Sequence, residues 1–146
     1  MLTGSCLCKS VSYKIANTPS NCNYCLCSVC RRLTGSAMAA YGAVQRSDFA
    51  WANGEGLLHT YQQNELSNRV FCSKCGSCVV SHHDLAPDFY FVSLGCLDSH
   101  NEIDIEYQQF VASKAEWVNL DPTIEQCEAY PEWVFERYSK KSDSSI

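Results

Sequence analysis

The 146-residue sequence has the length of one domain, at roughly 100–200 residues per domain, and carries 11 basic against 16 acidic side chains, a net charge of −5. With 46% hydrophobic and 12% aromatic residues it can fill a core, which excludes a disordered chain. No apolar run approaches the ~18 residues of a membrane-spanning helix. The acidity counts against a nucleic-acid backbone as partner.

In chain order, the start Met1-Leu2-Thr3-Gly4-Ser5-Cys6 lacks the basic and apolar regions of a secretory signal, so the expected location is cytoplasmic. Val11, Tyr13 and Ile15 alternate with Ser12 and Lys14, the pattern of a half-buried strand. Thr18-Pro19-Ser20-Asn21 reads as a loop, Arg31 to Gly35 as one helical turn ended by the glycine, and Ser36 to Val44 as a buried strand. Asn53-Gly54-Glu55-Gly56 is a turn before strand-like Leu57 to Gln62, and Phe89 to Leu94 is the clearest strand. Thr123 to Cys127 and Glu132 to Arg137 read as short helical pieces separated by Pro131. The expected organisation is a single mainly β domain over 1–138 with a polar tail over 139–146.

Eleven cysteines are the outstanding feature. An odd count without a secretory signal argues against a disulfide framework and for metal ligation. Seven fall into three motifs: Cys6-Leu7-Cys8, Cys25-Leu26-Cys27-Ser28-Val29-Cys30, and Cys72-Ser73-Lys74-Cys75-Gly76. In an extended strand a C-x-C presents both sulfurs on one face. A C-x-x-C folds into a turn whose sulfurs converge on one ion, and Gly76 can supply the positive φ such a turn needs. Zinc takes four ligands in a tetrahedron, so the grouping suggests a closed four-thiolate site and an incomplete three-thiolate site. Cys22 could instead complete a local four-sulfur set with Cys25, Cys27 and Cys30, leaving Cys6, Cys8, Cys72 and Cys75 as a second closed set. Cys22, Cys96 and Cys127 otherwise read as small buried hydrophobes, and so does Cys78, with a spare ligand or reactive thiol as its alternative.

These motifs, with Gly4-Ser5 before the first, Arg31 and Gly35 after the second, and Arg69-Val70-Phe71 and Ser77 flanking the third, resemble the glutathione-dependent formaldehyde-activating family, which includes centromere protein V. Phe49 and Gly54 before Tyr61, Gly95-Cys96-Leu97-Asp98, and Lys114-Ala115-Glu116-Trp117 extend the resemblance. It implies a β-tent of stacked antiparallel sheets stapled by zinc. It also implies a structural zinc held by Cys6, Cys8, Cys72 and Cys75, and a catalytic zinc held by Cys25, Cys27 and Cys30 with its fourth position open. The implied activity is a carbon–sulfur lyase reaction, the reversible condensation of glutathione with formaldehyde. Leu26 stands where the family often has histidine, so any polar role there is absent.

Three thiolates on Zn²⁺ leave a net charge of about −1, against about +2 for three neutral histidines, so such a site is a weak generator of hydroxide but able to hold a fourth sulfur as thiolate. With seven thiolates and two Zn²⁺ the chain would carry about −8. Glutathione's two carboxylates want cations, for which Arg31, Arg32, Arg46, Arg69 and Lys74 are available. His82-His83-Asp84 could supply a general acid or base, a solvated loop being the simpler assignment. His59 and His100 carry no signal, and Phe89, Tyr90, Phe91, Trp117 and Trp133 read as core. The expected function is a zinc-dependent carbon–sulfur lyase acting on a small-molecule thiol and an electrophile. The alternatives are a lyase or isomerase acting on a larger metabolite, and a non-catalytic zinc module that binds a protein.

Overall fold

The computed structural model describes residues 1–139. The expected polar tail from residue 139 lies outside the described residues, except that Ser139 closes the last helix. The architecture is mainly β, with two sheets and few short helices. A three-stranded antiparallel sheet has the order β1 (Leu2–Ser5), β2 (Ser12–Ile15), β5 (Phe49–Asn53). The larger sheet contains β3 (Ser20–Cys25), β4 (Ala39–Gln45), β6 (Leu58–Gln62), β7 (Ser67–Cys72), β8 (Cys78–His83), β9 (Phe89–Ser93), β10 (Tyr107–Gln109) and β11 (Glu125–Cys127). Its order is β11-β10-β3-β4-β9-β8-β7-β6, antiparallel except where β10 runs parallel to both β3 and β11.

The core lies between the sheets and follows from period-two alternation. Tyr13 and Ile15 of β2 are fully buried while Lys14 between them is exposed. They meet Val44, Val70, Val80 and Val92 from the inner face of the large sheet. Tyr13 stacks on Phe49 at 5.1 Å between ring centres, and Phe49 packs edge-on against Trp51 and Tyr90.

The alternate residues of the same strands, Asn23, Tyr41, Arg69, Ser81 and Gln109, face the other way and line a cavity. The polar side chains that interrupt each strand's apolar pattern thus collect on one surface.

Two helices complete the fold: α1 (Ser28–Thr34) and α2 (Val134–Ser139). α1 starts at Cys27, whose sulfur accepts from the Cys30 amide at 3.3 Å, and ends at Gly35 with φ +61°. Several expectations need correction. Thr123 to Cys127 is not helical: Glu125–Cys127 pairs with β10, whose ladder offers its backbone more partners than one isolated turn. Ser20 and Asn21 open β3 rather than a loop, with Asn21 at φ 50° marking a bulge. Trp117 is 72% exposed and not core, and Cys96 and Cys127 are half-buried, whereas Cys22 is buried as expected.

Candidate metal centres and cavity

Two groups of sulfurs converge. Cys6, Cys8, Cys72 and Cys75 form one, Cys25, Cys27 and Cys30 the other, and within each group all sulfurs lie within 4.8 Å of one another. Cys22 stands in neither: its thiol donates to the Pro19 carbonyl at 3.5 Å from within the inter-sheet core.

The four-sulfur group joins two turns distant in sequence. Cys6 and Cys8 follow β1 in a turn, not in an extended strand as the C-x-C pattern suggested. The Lys9 amide donates to the Cys6 carbonyl at 2.9 Å, and Lys9 sits at φ 60°. Between β7 and β8, the Gly76 amide donates to Cys72 O at 2.8 Å with Gly76 at φ +77°, the positive angle expected of it. The Leu7 amide donates to Ser77 Oγ at 3.0 Å and ties one turn to the other. Cys6 and Cys8 sulfurs are 3.6 Å apart, Cys8 and Cys72 sulfurs 3.9 Å. A tetrahedron with Zn–S bonds near 2.3 Å has S···S edges of about 3.8 Å, so these sulfurs fit that ion. Burial pushes Cys6 up to about 11, while hydrogen bonds from Ser77 hold Cys75 down to about 5.

The three-sulfur group is more local. Cys25 ends β3, Cys27 caps α1, and Cys30 lies on its first turn. Hydrogen bonds from Cys25 and Cys30 hold Cys27 far below the ordinary thiol range. Cys25, hydrogen-bonded to both partners and buried, is pushed far above it. Three crowded sulfurs cannot all ionise without a cation among them, and this donor set therefore fits a thiophilic metal. Leu26, fully buried, holds the segment in place: its amide donates to Gln109 O at 3.0 Å, and its carbonyl accepts from Arg31 at 2.7 Å. Arg31 also reaches the Ser113 carbonyl, so it serves the loop and not a ligand.

These three cysteines line a cavity of about 420 Å³, and the four-sulfur group does not. Among its described lining residues there is no carboxylate and no lysine; Arg69 is the sole arginine. Of the other expected cations, Arg46 lies over the Tyr90 ring at 4.3 Å and Lys74 donates to Ser10. Arg69 donates from Nε to Gln63 Oε1 at 2.8 Å and from Nη1 to the Tyr41 hydroxyl at 3.3 Å. Tyr41 packs in turn with Cys25 and Cys30, and its burial, first, and the Cys30 charge, second, raise its phenol. His82 and His83 end β8 and line the cavity instead of forming a solvated loop. His83 Nδ1 accepts from the Leu85 amide at 3.1 Å. Burial and nearby Arg46 lower His82; burial leads for His83. Phe91, expected in the core, also lines the cavity.

Sequence reading missed Tyr41, Phe110, Tyr130 and Phe135 at this cavity. Tyr41 had a signal, a single large polar-tipped ring in a strand of small residues; the others had none, because the chain brings them in from afar.

A sequence model described as glutathione-dependent formaldehyde-activating enzyme matches residues 1–113. A protein of Halomonas elongata named putative glutathione-dependent formaldehyde-activating enzyme is 25% identical over 128 residues, covering 83% of this chain and 82% of its own. A crystal structure of a Rhodobacter sphaeroides protein superposes with a TM-score of 0.58 at 26% identity, over 68% of this chain and 91% of that one.

Proposed function

The chain belongs to the glutathione-dependent formaldehyde-activating enzyme family, and from that premise we propose that it is a zinc-dependent carbon–sulfur lyase that adds a thiol to a carbonyl carbon and reverses the reaction. The observation that carries this reading is the asymmetry of the two sulfur groups. The three-sulfur group opens onto the cavity; the four-sulfur group joins two turns away from it, with Cys8 at the surface.

In this reading Cys6, Cys8, Cys72 and Cys75 hold a structural zinc, and Cys25, Cys27 and Cys30 hold a catalytic one. Zinc at the three-sulfur set supplies the positive charge that favours the thiolate form of an incoming sulfur. The remaining work falls to the chain. Arg69 binds a carboxylate of glutathione through the guanidinium donors that Gln63 and Tyr41 leave free, and the absence of cavity carboxylates removes competition for it. The Tyr41 hydroxyl holds Arg69 while its ring packs in one cluster with Cys25 and Cys30, and so sets the distance between the reacting sulfur and the anchored carboxylate. His83, lowered by burial and facing Phe135 in the cavity with Nδ1 taken by the Leu85 amide, can pass a proton through Nε2 to or from the carbonyl oxygen as the C–S bond forms or breaks, whereas His82, on the alternate face of β8, packs on Tyr90.

A concave cavity of about 420 Å³ suits a small molecule and disfavours the reading as a protein-binding module. Eleven free cysteines fit a reducing compartment, the cytoplasm, and no described helix is long and apolar enough to cross a membrane. The test is an exchange measurement: zinc-loaded protein should accelerate interconversion of glutathione plus formaldehyde with their adduct, followed by NMR, and Cys27→Ser should abolish the acceleration. Absence of acceleration in the zinc-loaded wild type overturns the proposal.

A further inference from the structure

The cavity has a polar floor and an aromatic roof. The floor is the outer face of the large sheet. The roof is a row of three rings: Phe110 meets Tyr130 at 4.7 Å and 81°, Tyr130 meets Phe135 at 5.1 Å and 73°, and Phe135 approaches His83 at 6.0 Å. Phe110 packs against the three-cysteine cluster, so the row begins at those sulfurs and leads along the cavity wall to His83.

Two of the three rings lie beyond residue 113, where the family match ends. They belong to a segment that is firmly seated. Arg137 donates to Asn21 Oδ1 at 2.6 Å and covers the Trp133 ring at 3.7 Å. The Tyr138 hydroxyl accepts from Asn21 Nδ2 at 3.3 Å, and its ring packs on Phe89 and Phe91. The roof is therefore a fixed wall of the cavity.

Neither partner in the proposed reaction uses such a wall. Formaldehyde has no apolar body, and glutathione has no apolar side chain beyond its thiol. Aromatic surface facing a ligand cavity gains its free energy by covering apolar ligand surface. We infer that the electrophile of this enzyme is a carbonyl compound bearing an aromatic or bulky apolar substituent, seated under Phe110, Tyr130 and Phe135 while its carbonyl carbon faces the three cysteines. The inference rests on the proposed thiol addition and changes its substrate. The thiol sulfur bonds to the carbonyl carbon, the C=O π pair moves to oxygen, and oxygen takes the proton the thiol gives up. Nothing is oxidised or reduced.

The experiment compares acetaldehyde with phenylacetaldehyde, which differ by one phenyl ring, in glutathione adduct exchange catalysed by zinc-loaded protein, with formaldehyde as reference. Burying part of a ring is worth a factor of ten or more, so kcat/KM should favour phenylacetaldehyde over acetaldehyde at least about tenfold. Phe135→Ala and Tyr130→Ala should each cut that ratio several-fold; Tyr130 is 46% exposed, so its variant folds even where Phe135→Ala does not. Independently of activity, the unreactive 2-phenylethanol should bind the wild type, read by protein NMR shifts, and bind Tyr130→Ala more weakly. Equal kcat/KM for the two aldehydes, an unchanged ratio in Tyr130→Ala, or no binding of 2-phenylethanol overturns the inference while formaldehyde turnover leaves the thiol-addition reading standing. No turnover of any of the three aldehydes overturns both.

Discussion

The Arg69 guanidinium and the Tyr41 hydroxyl lie 3.3 Å apart although β8 and β9 run between their strands. Both side chains stand on the outer face of the large sheet, and the two long chains close the gap over β8 and β9 from opposite sides. If Arg69 anchors a carboxylate, Arg69→Gln should raise KM for glutathione about 10–100-fold with a smaller change in kcat, the value of a charge-assisted hydrogen bond. Arg69→Lys should recover part of it, since the charge returns without the fork. Steady-state kinetics with varied glutathione reads both; equal losses in the Gln and Lys variants would remove the carboxylate role.

Metal analysis of purified protein should find two zincs per chain. Cys27→Ser should lose one and keep a melting temperature within a few degrees of wild type. Cys75→Ser should lose the other and fail to give a cooperative transition, because that zinc joins two turns more than sixty residues apart and its binding free energy is folding free energy. A chelator titration followed by circular dichroism should show activity vanishing before secondary structure. Simultaneous loss of both would mean that the two groups do not play separate roles.

Gly54 tests the seam of the small sheet. It holds φ +76°, and a Cβ there would run into the Ser10 carbonyl and come within 3.0 Å of Val11 Cα. Gly54→Ala should cost ~2–4 kcal/mol in urea unfolding, strain and overpacking together. Gly56→Ala, which meets open space, should be neutral.

Stability should fall with pH through the histidine range. His82 faces Arg46 and Asp84, His83 faces Asp84 and Arg69, and burial leads in keeping both below the ordinary value. The unfolded chain thus takes up protons first as pH drops through about 6.5, so stability is greater above that pH and declines below it. Urea midpoints at pH 7.5 and 6.0 should differ in wild type, and the difference should shrink in His82→Gln/His83→Gln. An unchanged slope in that variant assigns the effect to other groups.

Much of the sulfur grouping was legible because cysteine spacing is local. Cys25, Cys27 and Cys30 need only the end of one strand and the first turn of α1 to converge, and Cys72, Cys75 and Gly76 need only one hairpin turn. β2 and β9 were legible for the same reason, β2 by alternation complete within four residues and β9 by the aromatic and β-branched run Phe89 to Val92. β11 was misread because Glu125–Cys127 has no strand pattern of its own and takes its conformation from β10. His82 and His83 were misplaced because a loop and the last residues of a paired strand have the same composition.

By itself the sequence determined the donor groups, the mainly β class and the family, since each rests on short-range spacing or on alternation along single strands. Only the tertiary structure decided which sulfurs face a cavity, that Cys22 is core, that Arg69 alone of five candidate cations lines the cavity, and that Tyr130 and Phe135 roof it. The physical reason is that strand pairing and a returning segment bring together residues more than a hundred positions apart, and no local pattern encodes which face of a sheet that segment meets.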